Sequence, residues 1–293
     1  MSMLNNFIKS IHALPLGRIG KKIIQLSLEH VEEEPVYAKP GFLIYYSNRG
    51  LSREIRKQVV TGEYESEEFA VYKTLLKPGD IVIDVGANEG YVSLLFAKTV
   101  TASGRVLAIE PDRRNVGRFK RNVELNGLAN IKIYELAAGK EETKAAFHYQ
   151  SHQGADLGGE AWGSLIKHPM SDADQSTTIA VTRLDSLLSG LEKVDLIKID
   201  TEGNEFDVIC GAEGIINRMK PVISFEVNLS IWANMEKAVS EVFGYLRERR
   251  YQFFLPQNGK WIPFKWLNAR VMNIFAVHDA GIDSLKARGL FQK

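Results

Sequence analysis

From Ile81 onward, short apolar runs alternate with helical patterns, and this alternation restricts the fold more than any other feature of the chain. "IVIDVG" reads as a strand and "YVSLLFAKTV" as a helix. "RVLAIEP" is a second strand, followed by the helix "NVGRFKRNVELNG", which Gly127 closes. "IKIYELAAG" is a third strand and "VDLIKID" a fourth, leading into the helix "EFDVICGAEGIINRM"; "PVISFEVN" is a fifth. The strands are apolar at successive positions, so both faces must be covered, as in a parallel sheet between helices. The pattern predicts a doubly wound α/β domain. Near the end, "YQFFLP" and "NIFAVH" are β-type runs with no long helical pattern between them, and an antiparallel pair at the sheet's far edge is expected.

The flanking segments read differently. Residues 1–60 form an N-terminal extension, with "NNFIKSIHALPLGRIGKKIIQLSLEHV" at helical spacing, broken at Pro15 and Gly17, and "GFLIYYS" as a strand. This extension is expected to pack on the main domain, residues 61–293, or to shape its substrate side. "EYESEEFAVYKTLLKPGD" predicts a helix stopped at Pro78-Gly79. Residues 151–176 have weak periodicity and many small or polar side chains, which is the composition of a lid or insert.

Charge and cysteine content exclude several classes. There are 37 Lys plus Arg against 36 Asp plus Glu, a net charge of +1, so no whole-molecule field draws the chain to nucleic acid or an anionic membrane. The one cysteine, Cys210, rules out an internal disulfide. No apolar run is long enough to span a bilayer, and the first residues lack the pattern of a cleaved leader, so a soluble, cytoplasmic protein without stable membrane insertion is expected.

The first strand ends in "DVGANEG". In open α/β sheets ligands bind beyond the carboxyl ends of the strands, where the strand order reverses. Asp84, Gly86, Asn88 and Gly90 are expected there, with the glycines permitting a tight turn and close packing. The dinucleotide fingerprint G-x-G-x-x-G, whose bare N–H groups face a pyrophosphate, is not matched. Asp84 and Glu89 flank the turn, and carboxylates repel phosphate in a poorly solvated crevice. A cationic nucleoside such as S-adenosylmethionine, with a sulfonium, an ammonium and one carboxylate, suits an acid-flanked turn. Glu110, ending the second strand in "VLAIEPD", is placed to accept hydrogen bonds from two ribose hydroxyls.

"VIDVGANEGYVS", "AIEPD", "NVELNG", "LAAGKEE", "VTRLDSLL" and above all "DLIKIDTEGNEFDVICGAE" resemble the FkbM-type S-adenosylmethionine-dependent methyltransferases, in order, from about Glu63 to Asn228. The resemblance implies a class I methyltransferase (Rossmann-like) sheet of seven mostly parallel strands with helices on both faces and one antiparallel strand, consistent with "NIFAVH". It implies O-methylation of a hydroxyl on a small molecule such as a sugar or natural product. Carried over by position, Asp84, Gly86, Ala87, Asn88, Gly90 and Glu110 fall in the cofactor motifs, with Tyr91 and Pro111 beside them. Ala137 or Ala138 falls where the adenine is often bordered, Glu65 where the family also has a glutamate, and Asp200 where donor meets acceptor. Residues 1–60 and 151–176 are not covered.

Methyl transfer from a sulfonium to a hydroxyl is an in-line displacement, and a positioned base assists it by about 10²–10⁴-fold. "DLIKIDTEGNE" offers Asp200, Glu202 and Glu205 around a bend at Gly203; "SFEVN" adds Glu226 and Asn228. Asp200 is the leading candidate base, with Glu226 and Glu202 behind it, while Glu205 reads as a helix-start residue. No metal-ligand spacing is present, and no metal is expected. Lys198 is expected to reach solvent or pair with an acid, Cys210 to lie in the core, and His152, His168 and Trp162 to belong to the lid segment. Three alternatives stay open: a nucleotide-binding oxidoreductase, an RNA or base methyltransferase, and a non-catalytic S-adenosylmethionine-binding module. "DTEG" after strand four is an acidic surface unsuited to a phosphate backbone, so no nucleic-acid partner is expected. Oligomeric state, a homodimer included, is not legible.

Overall fold

The computed structural model describes Ser10 and residues 35–45, 58–150, 162–166, 176–232, 236–266 and 271–292. In chain order the strands are β1 (Val36–Ala38), β2 (Phe42–Ile44), β3 (Ile81–Val85), β4 (Arg105–Ile109), β5 (Ile131–Tyr134), β6 (Ala137–Ala138), β7 (Thr143–Gln150), β8 (Trp162–Ser164), β9 (Ser176–Thr182), β10 (Leu196–Ile199), β11 (Val222–Asn228), β12 (Tyr251–Gln257), β13 (Lys260–Pro263) and β14 (Val271–His278). The helices that position the site are α1 (Ser66–Leu75), α2 (Tyr91–Val100), α3 (Arg113–Leu125), α4 (Leu184–Leu187), α5 (Glu205–Gly211) and α6 (Glu213–Met219).

The main sheet has the order β13-β12-β14-β11-β10-β3-β4-β5. Neighbours from β5 to β11 are parallel, whereas β14 is antiparallel to β11 and β12 to β14. Seven of these strands make the class I methyltransferase sheet. The eighth, β13, was not foreseen: it pairs antiparallel with β12 and takes the outer edge. Its cause is the turn Asn258-Gly259, where both residues have positive φ (52° and 68°) and so match the twist of a tight hairpin. The expected pair "YQFFLP" and "NIFAVH" does form, but one strand in from the edge, with β14 between β11 and β12.

The expected third strand divides. Ile131–Tyr134 stays in the main sheet, while Ala137–Ala138 leaves it to pair with β9 in a second sheet of order β6-β9-β7-β8. This sheet lies between β5 and β10 in sequence and takes in both flanks of the 151–176 segment. Within that segment only residues 162–166 and Ser176 are described; His152 and His168 lie outside the described residues, and Trp162 is placed by its backbone pairing with Gln150.

Alternate residues of each central strand face opposite layers. Val82, Val106 and Leu196 join Tyr72, Leu94 and Phe96 on one side. Ile83, Leu107 and Ile197 join Val208, Ile215 and Phe225 on the other. This two-sided burial is what the unbroken apolar runs require. α1 ends at Leu75, just before Lys77-Pro78-Gly79, as expected. The described part of the first sixty residues is a hairpin, β1–β2, whose Phe42 and Ile44 join the same layer as Phe96. Asn122 of α3 and Asn126 at its C-terminal cap hold it, accepting from Tyr45 N at 2.6 Å and Leu43 N at 2.9 Å. The helical pattern of the extension lies outside the described residues, apart from Ser10. Among the described residues no helix is long and apolar enough to cross a membrane. Cys210, expected in the core, is only half-buried on α5.

Candidate active site

β4 lies on one side of β3 and β10 on the other, so the chain order reverses at β3. A cavity of about 380 Å³ opens beyond the carboxyl ends there. Its walls come from the turn after β3, the ends of β4, β10 and β11, the residues before α1, and the second sheet.

The turn after β3 fits closely against β10. Gly86 has φ 77°, and a Cβ there would lie 1.7 Å from the Asp200 carbonyl oxygen. A side chain is excluded by both backbone conformation and space. Gly86, Ala87, Asn88 and Tyr91 line the cavity, as do Glu110, Pro111, Ala137, Ala138 and Glu65. Two expected residues do not. Asp84 is fully buried behind the wall, where it accepts from Ser93 Oγ at 2.5 Å and lies 3.9 Å from Lys198 Nζ. Its side chain points off the strand into the α1–α2 layer, so it does not flank the turn. Gly90 also sits outside the lining: a Cβ there would meet the Phe119 ring at 2.1 Å, so it is helix packing that demands the glycine. Glu89 is likewise neutralised, by Arg118 Nε at 2.6 Å.

Glu110 is tied to backbone. Its carboxylate accepts from Asn88 N at 2.8 Å and from Asp112 N at 2.9 Å, and Asn115 Nδ2 donates at 3.3 Å. Burial nonetheless pushes its pKa up to about 7. Asn88 itself has φ 53°, an unfavoured conformation that brings its N–H to Glu110.

At the β10–β11 end the acids meet one another. Asp200, Glu202 and Glu226 each bring an oxygen within 4.8 Å of the others. Glu226 hydrogen-bonds Asp200, and burial together with the Asp200 charge pushes it up to about 11. Burial and Asp200 push Glu202 up to about 8. Glu65, whose φ is 47°, hydrogen-bonds Tyr64, and burial moves it up to about 7. Lys198 is paired with acid rather than solvent-facing: its ammonium lies 3.0 Å from Asp200 Oδ2. Glu205 does not enter the cavity lining. It accepts from Thr201 N and Oγ1 and from Gly203 N at 2.9, 3.0 and 3.1 Å, holding the bend that carries Glu202.

Sequence reasoning missed several lining residues. Tyr64 adjoins Glu65, and Asn115 lies in the first turn of α3, just after the strand that Glu110 follows, which was a usable signal. Asn204, whose Nδ2 donates to Ala138 O at 3.0 Å, ties the second sheet to the bend. Phe147, Ile166, Val271 and Asn273 come from distant segments and carried no local signal.

The donor set suits S-adenosylmethionine. Among the described lining residues Lys198 is the one cation, and it is already engaged by Asp200. A diphosphate would find no unengaged cation in the described lining, whereas a sulfonium and an ammonium would face the carboxyl groups of Glu65, Asp200 and Glu202. Tyr91 OH and Asn115 Oδ1 are buried wall atoms without hydrogen-bond partners among the described residues, and a ligand can supply them.

Comparison with known proteins gives the family. The model of the methyltransferase FkbM domain matches residues 84–253. The 2-O-methyltransferase NoeI of Sinorhizobium fredii (strain NBRC 101917 / NGR234) is 26% identical over 195 residues, covering 63% of this chain and 78% of NoeI. Methyltransferase 1 of Beauveria bassiana (strain ARSEF 2860) is 29% identical over 145 residues, which is 45% of this chain and 58% of that protein. The crystal structure of methyltransferase FkbM from Methylobacillus flagellatus KT superposes with a TM-score of 0.46 at 17% identity, covering 78% of this chain and 56% of that one. The chain belongs to the FkbM family of S-adenosylmethionine-dependent methyltransferases.

Proposed function

We propose that the protein methylates a hydroxyl oxygen of a small molecule, with Asp200 receiving the acceptor's proton. The observation that carries this reading is the pairing of Asp200 and Glu226 at the cavity's β10–β11 end, with Lys198 beside Asp200. A hydroxyl is a weak nucleophile until its proton is leaving, and a carboxylate within hydrogen-bond reach removes that obstacle. S-adenosylmethionine supplies an activated methyl group on a sulfonium. Glu110, Asn88, Gly86, Ala87, Ala137 and Ala138 would hold its nucleoside, with Tyr91 and Pro111 bordering it and Glu65 near its charged tail. Glu110 orients the ribose, and its two backbone hydrogen bonds keep it from turning away. Glu202 and Glu226 flank the acceptor, and Asn228 and Asn273 lie on the same wall. The 2-O-methyltransferase NoeI among its relatives supports oxygen as the acceptor atom. Cavity size supports a small molecule in preference to a nucleic acid, and acidic walls disfavour anionic acceptors. We read residues 61–293 as the catalytic domain, with the second sheet contributing substrate contacts.

The test is a screen of hydroxylated sugars and secondary metabolites for uptake of labelled methyl groups, run beside Asp200→Asn. Calorimetry should give S-adenosylmethionine binding in both proteins, with turnover only in the wild type. Binding of NAD in place of S-adenosylmethionine, or full turnover in the variant, overturns the reading.

A further inference from the structure

Asp84, Lys198 and Ser224 occupy one row across three neighbouring parallel strands: β3, β10 and β11 pair Asp84 with Lys198 and Lys198 with Ser224. All three are buried, at 0%, 4% and 0% exposure. The row is closed at both ends. Ser93 Oγ of α2 donates to Asp84, and Tyr72 OH of α1 lies 2.8 Å from Ser224 Oγ. Lys198 is also part of the cavity wall, two residues before Asp200 on the same face of the strand, and its ammonium reaches 3.0 Å from Asp200 Oδ2. A buried ammonium of this kind is held in one place by its two carboxylates and by the surrounding apolar layer.

The two carboxyl groups at the acceptor end are therefore unequal. Both face Glu202 and Glu205, and Asp200 faces Glu65 and Asp84 as well, but it is Asp200 that has the ammonium within hydrogen-bond distance. One proton shared between the two belongs on the group without the cation. We propose that Lys198, anchored by Asp84, is a positioning residue that keeps Asp200 ionised and aimed at the acceptor, and leaves the shared proton on Glu226. The proposal rests on the reading of Asp200 as proton acceptor. It gives the buried Asp84 a task, as the counter-ion that fixes Lys198. The groups facing Lys198 are Asp200 on its own strand end, Asp84 on β3, Glu65 before α1 and Tyr72 on α1. Burial opposes its charge, but these groups together push Lys198 well above the ordinary lysine range.

The test is a carboxyl-carbon NMR titration of Asp- and Glu-labelled protein, which requires neither donor nor acceptor. Signals are assigned by their loss in Asp200→Asn and Glu226→Gln. In the wild type, from about pH 6 to about pH 9, the Asp200 carbon is expected at the ionised position and the Glu226 carbon at the protonated position. In Lys198→Met the Asp200 carbon should move to the protonated position at the lower end of that range, and in Lys198→Arg it should stay ionised. An Asp200 signal that stays ionised in Lys198→Met, or a wild type with the proton on Asp200, overturns the proposal. If Lys198→Met does not fold, the wild-type assignment and Lys198→Arg decide: protonated Asp200 in either one overturns the proposal, and ionised Asp200 beside protonated Glu226 in both supports it. Failure of the base assignment appears elsewhere, as retained turnover in Asp200→Asn, so the two failures are distinguishable.

Discussion

The two ends of the cavity are both acidic, yet they treat their carboxylates in opposite ways. At the β3–β4 end each acid has fixed partners: Glu110 holds two backbone N–H groups, Glu89 holds Arg118, and Asp84 holds Ser93. At the β10–β11 end Asp200, Glu202 and Glu226 converge on one another, and the ammonium of Lys198 pairs with Asp200 alone of the three. Preorganised donors make the first end a rigid cradle, whereas the second is electrostatically unbalanced, its acids raising one another's proton affinity. On the proposed function, binding and chemistry fall to ends that differ in charge compensation rather than in composition.

The largest test of this division is at the unbalanced end. Asp200→Asn is expected to lower turnover by about 10²–10⁴-fold while leaving S-adenosylmethionine affinity within about threefold, measured by steady-state assay and calorimetry. Equal losses in both would erase the contrast between the ends. The next largest probes the rigid end's support. Gly90→Val places a branched side chain at φ 87° against Phe119, and a loss of at least about 3 kcal/mol of folding stability is expected from strain and overpacking combined, read by urea denaturation. Third, Glu110→Ala leaves two backbone N–H groups without their acceptor and removes the proposed ribose contact. A loss of about 1–3 kcal/mol, or roughly 5- to 150-fold, in S-adenosylmethionine affinity is expected, with Asp200-dependent chemistry otherwise intact.

The smallest effect is on the pH dependence of stability. Glu65 and Glu110 have native pKa values raised to about 7, and Glu202 to about 8. A carboxyl raised on folding binds its proton more tightly in the native state. Its contribution is full below the unfolded pKa near 4.5 and is lost as pH climbs through the native value. The melting temperature should therefore fall from about pH 5 to about pH 8, by about 2–4 °C for each kcal/mol lost. Glu202→Gln should flatten the upper part of that slope and Glu110→Gln the lower part. A melting temperature that rises over this interval contradicts the proton-held acids.

Much of the frame was legible in the chain because parallel strands buried on both faces must be apolar throughout, and "IVIDV", "RVLAI" and "LIKI" are so apart from Asp84, Arg105 and Lys198. The β13 edge was missed although "QNGK" carries a hairpin signal, because an Asn-Gly pair acquires meaning only once its flanks are recognised as strands. "IKIYELAAG" was read as one strand because apolar content alone does not reveal a change of sheet after Tyr134. At the site, strand-end position located Glu110, Asp200 and Glu226 in the cavity wall, but position alone does not give side-chain direction. Asp84 is placed like a ligand-facing acid, and its alternation along β3 sends it into the opposite layer. Lys198 could not be assigned from sequence because its role depends on the register of β10 with β3. The walls contributed by Phe147, Ile166 and Asn273 depend on long-range folding and have no local signature.

Ser164 deserves a last consequence. Its hydroxyl lies 3.3 Å from the Thr201 carbonyl and 2.9 Å from that of Glu202, while its Oγ accepts from Ile166 N. The inserted sheet is thereby stitched to the bend that presents the acids. Anyone seeking to retarget such a scaffold by grafting a relative's insert would have to transplant residues 200–205 with it, because the graft and the bend share a seam.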